Sequence, residues 1–292
     1  MTDRDKIIEH INKIEQYSRK PGNEWLLAEL VSKFGGGGKI DAIYEYCIER
    51  VAREQANQFY KDFPIKQIIP TLEEDFVKME FYHRKNAFND FAFAIYQQIE
   101  GITNVVCKDP KLNEVVSRLM GHPAYVRSVQ KSDGTWTEAT ISDRNGTSSF
   151  QIAKLLFGKD ARAKSNCQLA SHWAVDKIYI VLYFLCYQAM LKSQEYHQFN
   201  EYKEMYNAIY QFRNLNHRGG EPNDVQKSII NSIRPHQGIY YFKFMQALLF
   251  FVEGVPKGLA VLDKLYDYAI SQKRILVNDI KPLGKIDLAN VR

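Results

Sequence analysis

Apolar residues recur at three- and four-residue intervals along nearly the whole chain, the period of amphipathic helices. Ile7, Ile8, Ile11 and Ile14 stripe a first helix that Arg19-Lys20-Pro21-Gly22 ends. Asn23 is placed to cap a second helix bearing Trp25, Leu26, Leu30 and Phe34. Four glycines, Gly35 to Gly38, then lead into a third from Ile40 to about Phe59. Pro64 and Pro70 bracket a connector, after which Thr71 and Glu74 have the spacing of a capping box. The longest helical reading starts there, from Leu72 to about Asn104. A polar island, His83-Arg84-Lys85-Asn86, interrupts it, and a short helix from Leu112 to Met120 follows.

One stretch changes period. Tyr125 to Ile141 is rich in Val, Thr and Trp around Ser132-Asp133-Gly134-Thr135, and Asp-Gly between extended halves signals a β-hairpin. A loop, Ser142 to Gly146, closes it. Helical periods resume at Ser148–Phe157 and at about 166–192, 198–216, 223–233, 238–253 and 257–273; Ile275 to Arg292 reads as irregular. Strands do not alternate with helices, which argues against a parallel-sheet enzyme. The expected fold is all-α, a multi-helix bundle with a small β-hairpin insertion. An N-terminal helical region is expected over 1–69 and a helical domain over 70–292, with the insertion at about 121–146.

Composition narrows the class. Hydrophobic residues make up 45% and charged residues 25% of the 292, which excludes disordered, collagenous and disulfide-miniprotein chains. A net charge of +5 permits a nucleic-acid partner without requiring one. Cys47, Cys107, Cys167 and Cys186 form no CxxC pair, which fits a reducing compartment. The most apolar runs, Ile178 to Cys186 and Ala247 to Val252, are too short to cross a bilayer. The expectation is a cytoplasmic protein with no membrane partner. Gly35 to Lys39 is not a Walker loop, because Ile40 follows the lysine and a helix precedes the run. No HExxH, Cys-His cluster or calcium loop occurs, so neither a metal nor a cofactor is expected.

The candidate chemistry lies in Tyr206 to Gly220, where an amphipathic helix carrying Met205, Ile209 and Phe212 inward ends in a dense polar group before Gly219-Gly220. Arg213 and His217 stand four residues apart, so on a helix their Cβ atoms are roughly 6 Å from each other. A guanidinium is a fixed cation with a planar fork for phosphate. An imidazole titrates near neutrality and can pass a proton. Together they are what metal-free phosphodiester cleavage needs: His217 acting on the 2'-hydroxyl or the leaving oxygen, Arg213 holding the charge that builds on phosphorus. The same residues also suit a helix C-terminus, where cations meet the last carbonyls and glycine supplies the left-handed cap.

Arg213-Asn214 followed by His217-Arg218-Gly219 at a helix end, within helices from roughly Thr71 to Lys273, resembles the HEPN superfamily, with a shortened Arg-Asn-x-x-His motif. No match is found for the first 70 residues. The resemblance implies a metal-independent endoribonuclease that pairs two copies of the motif across a homodimer interface. Arg213 would contact phosphate, Asn214 orient the motif and His217 act as acid and base, with Arg218 on the substrate side. A toxin or antiviral defence role, and control by a regulatory protein partner, are further expectations of this kind.

Two more segments are candidates for binding RNA. Arg84 and Lys85 of the polar island would reach across the bundle toward 213–217, although Glu80 is placed to pair with Arg84 on a solvated face. Trp136, among Arg127, Lys131 and Arg144, would stack on a single-stranded base, or serve an oligomer contact or packing flap. Arg234-Pro235-His236 is a weaker third. The alternative function is a non-catalytic helical subunit that binds RNA or protein.

Overall fold

The computed structural model describes residues 3–23, 25–26, 29–30, 38–130, 136–140, 151–187, 196–218 and 223–277, with the backbone alone for 3–4, 38–44, 125–130, 136–140, 187, 196–198, 216–218 and 225. Outside the described residues lie most of the second expected helix, the glycines at 35–37, the hairpin tip at 131–135 and its closing loop at 142–146. The expected start at Ser148, residues 188–192 and the tail beyond 277 lie outside them too. The chain divides into two units, residues 1–54 and 55–292.

The first unit contains α1 (Asp3–Ser18) and most of α2 (Gly38–Tyr60). Arg50 Nη1 donates to Asn12 Oδ1 at 3.1 Å, and surface pairs such as Lys13–Glu9 at 2.7 Å follow the i,i+4 rule. Of the isoleucine stripe, Ile8 and Ile11 are half-buried while Ile7 is exposed.

The second unit is mostly helical. α3 (Ile69–Arg84) begins earlier than expected: Pro70 sits in its first turn, where a missing N–H costs nothing, and no side chain caps it, so Thr71 is not the N-cap. The expected long helix is two helices, α3 and α4 (Phe88–Val106), and the polar island is what divides them. Asn86 adopts φ 53°; its N–H reaches the His83 carbonyl at 3.1 Å and the Ala87 N–H reaches that of Tyr82 at 2.9 Å. This is a Schellman cap with Asn in the left-handed position. α5 (Pro110–Leu119) starts two residues before the apolar pattern does, because Asp109 Oδ1 accepts from the Lys111 N–H at 2.7 Å.

Residues 125–130 and 136–140 form an antiparallel backbone ladder, Val129 opposite Thr137. α6 (Ile152–Phe157) ends where its apolar period does and α7 (Ala161–Ser165) follows; the single helix expected over 166–192 is, as far as Tyr187, a turn at 169–171 and then α8 (Ala174–Val181) running into a π turn at Leu182–Tyr187. α9 (Tyr196–Arg218) carries the motif, and α10 (Asp224–Ile233) opens with a reciprocal Asn223–Gln226 capping box. The last two expected helices are one, α11 (Gln237–Ser271), with Pro256 inside it.

Packing explains why α11 continues through Pro256, which removes a helix hydrogen bond. Gly254 and Gly258 face the π turn so closely that a Cβ would lie 2.7 Å from that of Cys186 at the first position and 2.5 Å from Leu185 Cα at the second. Leu185 and Cys186 are both fully buried. The close approach of two backbones, with dispersion contacts along its length, outweighs one lost bond. Within Gln226–Ser271 an 18-residue window has mean hydropathy 1.4, long and apolar enough by composition to cross a membrane, but half of that window is buried inside the fold.

α4 is the central element, apolar on most of its surface and packed by α3, α8, α9 and α11. At its N-terminal end Phe88 meets Phe212 of α9 at 5.1 Å and Tyr241 of α11 at 5.0 Å between ring centroids, and Phe91 meets Tyr241 at 4.7 Å. Tyr60 donates to Gln98 Oε1 at 2.6 Å in the same core. Beyond α11 the chain runs extended over Gly121, where a Cβ would collide with the Ile275 carbonyl; His122 Nε2 donates to the Lys273 carbonyl at 2.9 Å.

Candidate functional site

Phe212 fixes the end of α9. It is fully buried against Phe88 and Phe244, and one turn and a half earlier Tyr206 donates to the Ala247 carbonyl at 2.7 Å. A step of 100° from Phe212 brings Arg213 around to α4. There its guanidinium carbon lies 5.3 Å from the centre of the Tyr96 ring, a cation–π distance. Tyr96 is itself held, buried, by donating to Glu100 Oε1 at 2.8 Å and by the Tyr210 ring at 5.9 Å. Burial first, then the Glu100 carboxylate, pushes the Tyr96 phenol far above its ordinary range, so it stays a neutral donor.

Arg213 has an unusual set of partners. Its Nη1 donates to Asn214 Oδ1 at 3.2 Å, its Nε is buried with no hydrogen-bond partner, and among the described residues no carboxylate forms an ion pair with it. A guanidinium carries five N–H donors, so most of this one's capacity is unspent. An unsatisfied donor held in a partly buried position costs free energy until an acceptor arrives, and an oxyanion is the acceptor that matches the fork. Asn214 is 6% exposed, which makes it a support for Arg213 more than a group facing solvent.

The backbone stays helical through Arg218, so Arg213 and His217 stand one turn apart on an unbroken helix. The side chains of His217 and Arg218 lie outside the described residues, as do those of Trp136 and Arg127; Lys131 and Arg144 are outside them altogether. Arg84 and Lys85 are turned back on their own helix. Arg84 lies 4.0 Å from Glu80, and the Lys85 ammonium sits 3.9 Å from the Phe81 ring centre. From the same island His83 packs on Tyr241 at 4.7 Å, a core contact. Arg234 to His236 form a single 3-10 turn between α10 and α11.

Sequence reasoning missed Tyr96. The signal was present in Tyr96 and Glu100 at i,i+4 on a core helix, since a buried phenol needs an acceptor. It also missed a second polar cluster, built by α6 to α9. Lys164 pairs with Asp176 Oδ1 at 2.8 Å, His172 stacks on Phe157 at 5.4 Å, and Lys203 donates to the Leu155 carbonyl at 2.6 Å. Burial drives the Lys203 ammonium down to about 8, against a raising effect from Asp176 and a lowering one from Lys164. Burial also lowers His172. Lys203 shares the face of α9 that carries Phe199, Tyr206 and Tyr210, and a lysine on an apolar stripe is the trace it leaves in sequence.

Among the described residues no group of three His, Cys, Asp or Glu side chains is placed to hold a metal ion. No protein-family model matches the chain, and neither the curated proteins nor the solved structures contain a match to it.

Proposed function

We propose that the protein is a metal-independent endoribonuclease of HEPN type, acting in the cytoplasm as a homodimer. The observation that carries this reading is Arg213: a guanidinium with no carboxylate partner among the described residues, fixed by Asn214 and the Tyr96 face, with a buried Nε that has no hydrogen-bond partner there. In the reaction His217 takes the proton of an RNA 2'-hydroxyl while its oxygen attacks phosphorus. The 5'-oxygen leaves with a proton from the second subunit's imidazole, and the products are a 2',3'-cyclic phosphate and a free 5'-hydroxyl. Arg213 takes the charge that gathers on the phosphoryl oxygens in between. Arg218 and Trp136, the latter on a hairpin insertion in a HEPN-like domain over 70–292, grip the strand. A toxin or defence role, under a regulatory partner, follows from the same resemblance.

The test is incubation of purified protein with RNA in EDTA. Wild type yields cyclic-phosphate ends, and His217→Ala loses roughly 10²- to 10⁴-fold in rate, the usual contribution of a positioned proton carrier. Full cleavage by His217→Ala contradicts the reading.

The burial of Asn214 favours a second reading, in which the motif ends a helix and the protein binds RNA or another protein without chemistry. Under it RNA is bound but never cut, and Arg213→Ala lowers stability as much as binding.

A further inference from the structure

A cavity of about 430 Å³ opens between α5, the α7-to-α8 connection and the extended segment after α11. It is separate from the Arg213 site, since neither Arg213 nor Asn214 lines it. Its floor is apolar: Val116, Met120 and Leu169 are each at most 4% exposed. His172, 7% exposed, joins that floor with its ring stacked on Phe157. The rim is basic. Lys108, Lys164 and Arg274 contribute to it against a single acid, Glu114, whose charge is taken by Arg118 one turn along α5. Lys164 is committed to Asp176, but Lys108 and Arg274 form no ion pair among the described residues.

A dry floor with a few convergent polar groups is the pattern of a small-molecule site, and two unneutralised cations at its mouth select the charge of the ligand. Lysine serves phosphate as a point charge and arginine as a fork. We infer that this cavity binds a small phosphomonoester, its phosphate between Lys108 and Arg274 and its organic body against Val116, Met120 and Leu169. The volume suits a mononucleotide and is too small for a folded polymer to enter. The site would serve the protein whether or not Arg213 takes part in cleavage.

Cys167, exposed and on the cavity wall, supplies a reporter. The probes are adenosine 5'-monophosphate, adenosine and inorganic phosphate, added to the full chain. The nucleotide should raise the melting temperature and slow alkylation of Cys167 several-fold, leaving Cys47 alkylation unchanged. Lys108→Gln with Arg274→Gln alters two exposed rim residues, so the unliganded variant melts with wild type. Its affinity for the nucleotide falls by about tenfold or more, the loss of charge-assisted hydrogen bonds to phosphate. Adenosine alone should not protect. The proposal is overturned if the nucleotide fails to protect Cys167 at millimolar concentration or if the double variant binds it as wild type does. Inorganic phosphate binding as tightly as the nucleotide also overturns it, since the floor would then have no role.

Discussion

Replacing Gly258 with alanine should reverse the ordinary sign of a glycine-to-alanine change in a helix. In isolation the substitution favours a helix by about 1 kcal/mol. Here the new Cβ would stand 2.5 Å from the Cα, Cβ and carbonyl oxygen of Leu185. Carbon contacts are comfortable at about 3.5–4.0 Å, so α11 and the π turn must separate by roughly 1 Å. Those atoms are backbone or next to it, and no rotamer change relieves them. Overpacking of this kind costs about 1–3 kcal/mol and more where backbone moves, which leaves a net loss near 1–2 kcal/mol. Gly101 in α4 is the control: its added Cβ meets only Leu72 Cδ2, at 3.7 Å, and the change should stabilise by about 0.5–1 kcal/mol. Urea unfolding followed by far-ultraviolet circular dichroism reads both, the midpoint falling for Gly258→Ala and rising for Gly101→Ala at unchanged slope. A Gly258→Ala protein at least as stable as wild type would refute the close approach that joins α11 across Pro256.

Three further outcomes follow from the packing and the charges. Lys203 has a folded-state value of about 8, below the ordinary 10.5, so between these limits the unfolded chain holds the extra proton and stability rises with pH. The stability difference between wild type and Lys203→Met should therefore move in favour of wild type from pH 8 to 10.5; a difference flat in pH contradicts it. Tyr60→Phe removes the donor to Gln98 Oε1 and strands a buried acceptor, at a cost of about 1–3 kcal/mol in chemical denaturation. At the Schellman cap, Asn86→Gly should be neutral or stabilising and Asn86→Ala destabilising by about 1 kcal/mol, since φ 53° suits glycine and strains alanine.

Much of the helical architecture is legible in the period of the apolar residues, and its errors have physical causes. A run such as His83 to Asn86 reads as a polar interruption because hydropathy carries no information on φ; only the two hydrogen bonds to Tyr82 and His83 reveal a cap. Pro256 reads as a terminator because the counterweight, two glycines set against Leu185 and Cys186, belongs to a segment some seventy residues away. At the candidate site the spacing of Arg213 and His217 gives a shared helical turn, and the helix does run through both. What spacing cannot give is the surroundings of Arg213. The Tyr96 face comes from α4, more than a hundred residues earlier. The basic rim around Val116 and Met120 is assembled from three separate stretches, so no local pattern announces it.

The most direct test is a cleavage assay on RNA in excess EDTA, comparing wild type with Arg213→Ala and His217→Ala proteins whose circular dichroism and melting match it. Cyclic-phosphate ends released by wild type alone are the predicted result. RNA left intact by the folded wild-type protein, or cut equally by all three, would contradict the assignment of Arg213 and His217 to phosphodiester cleavage.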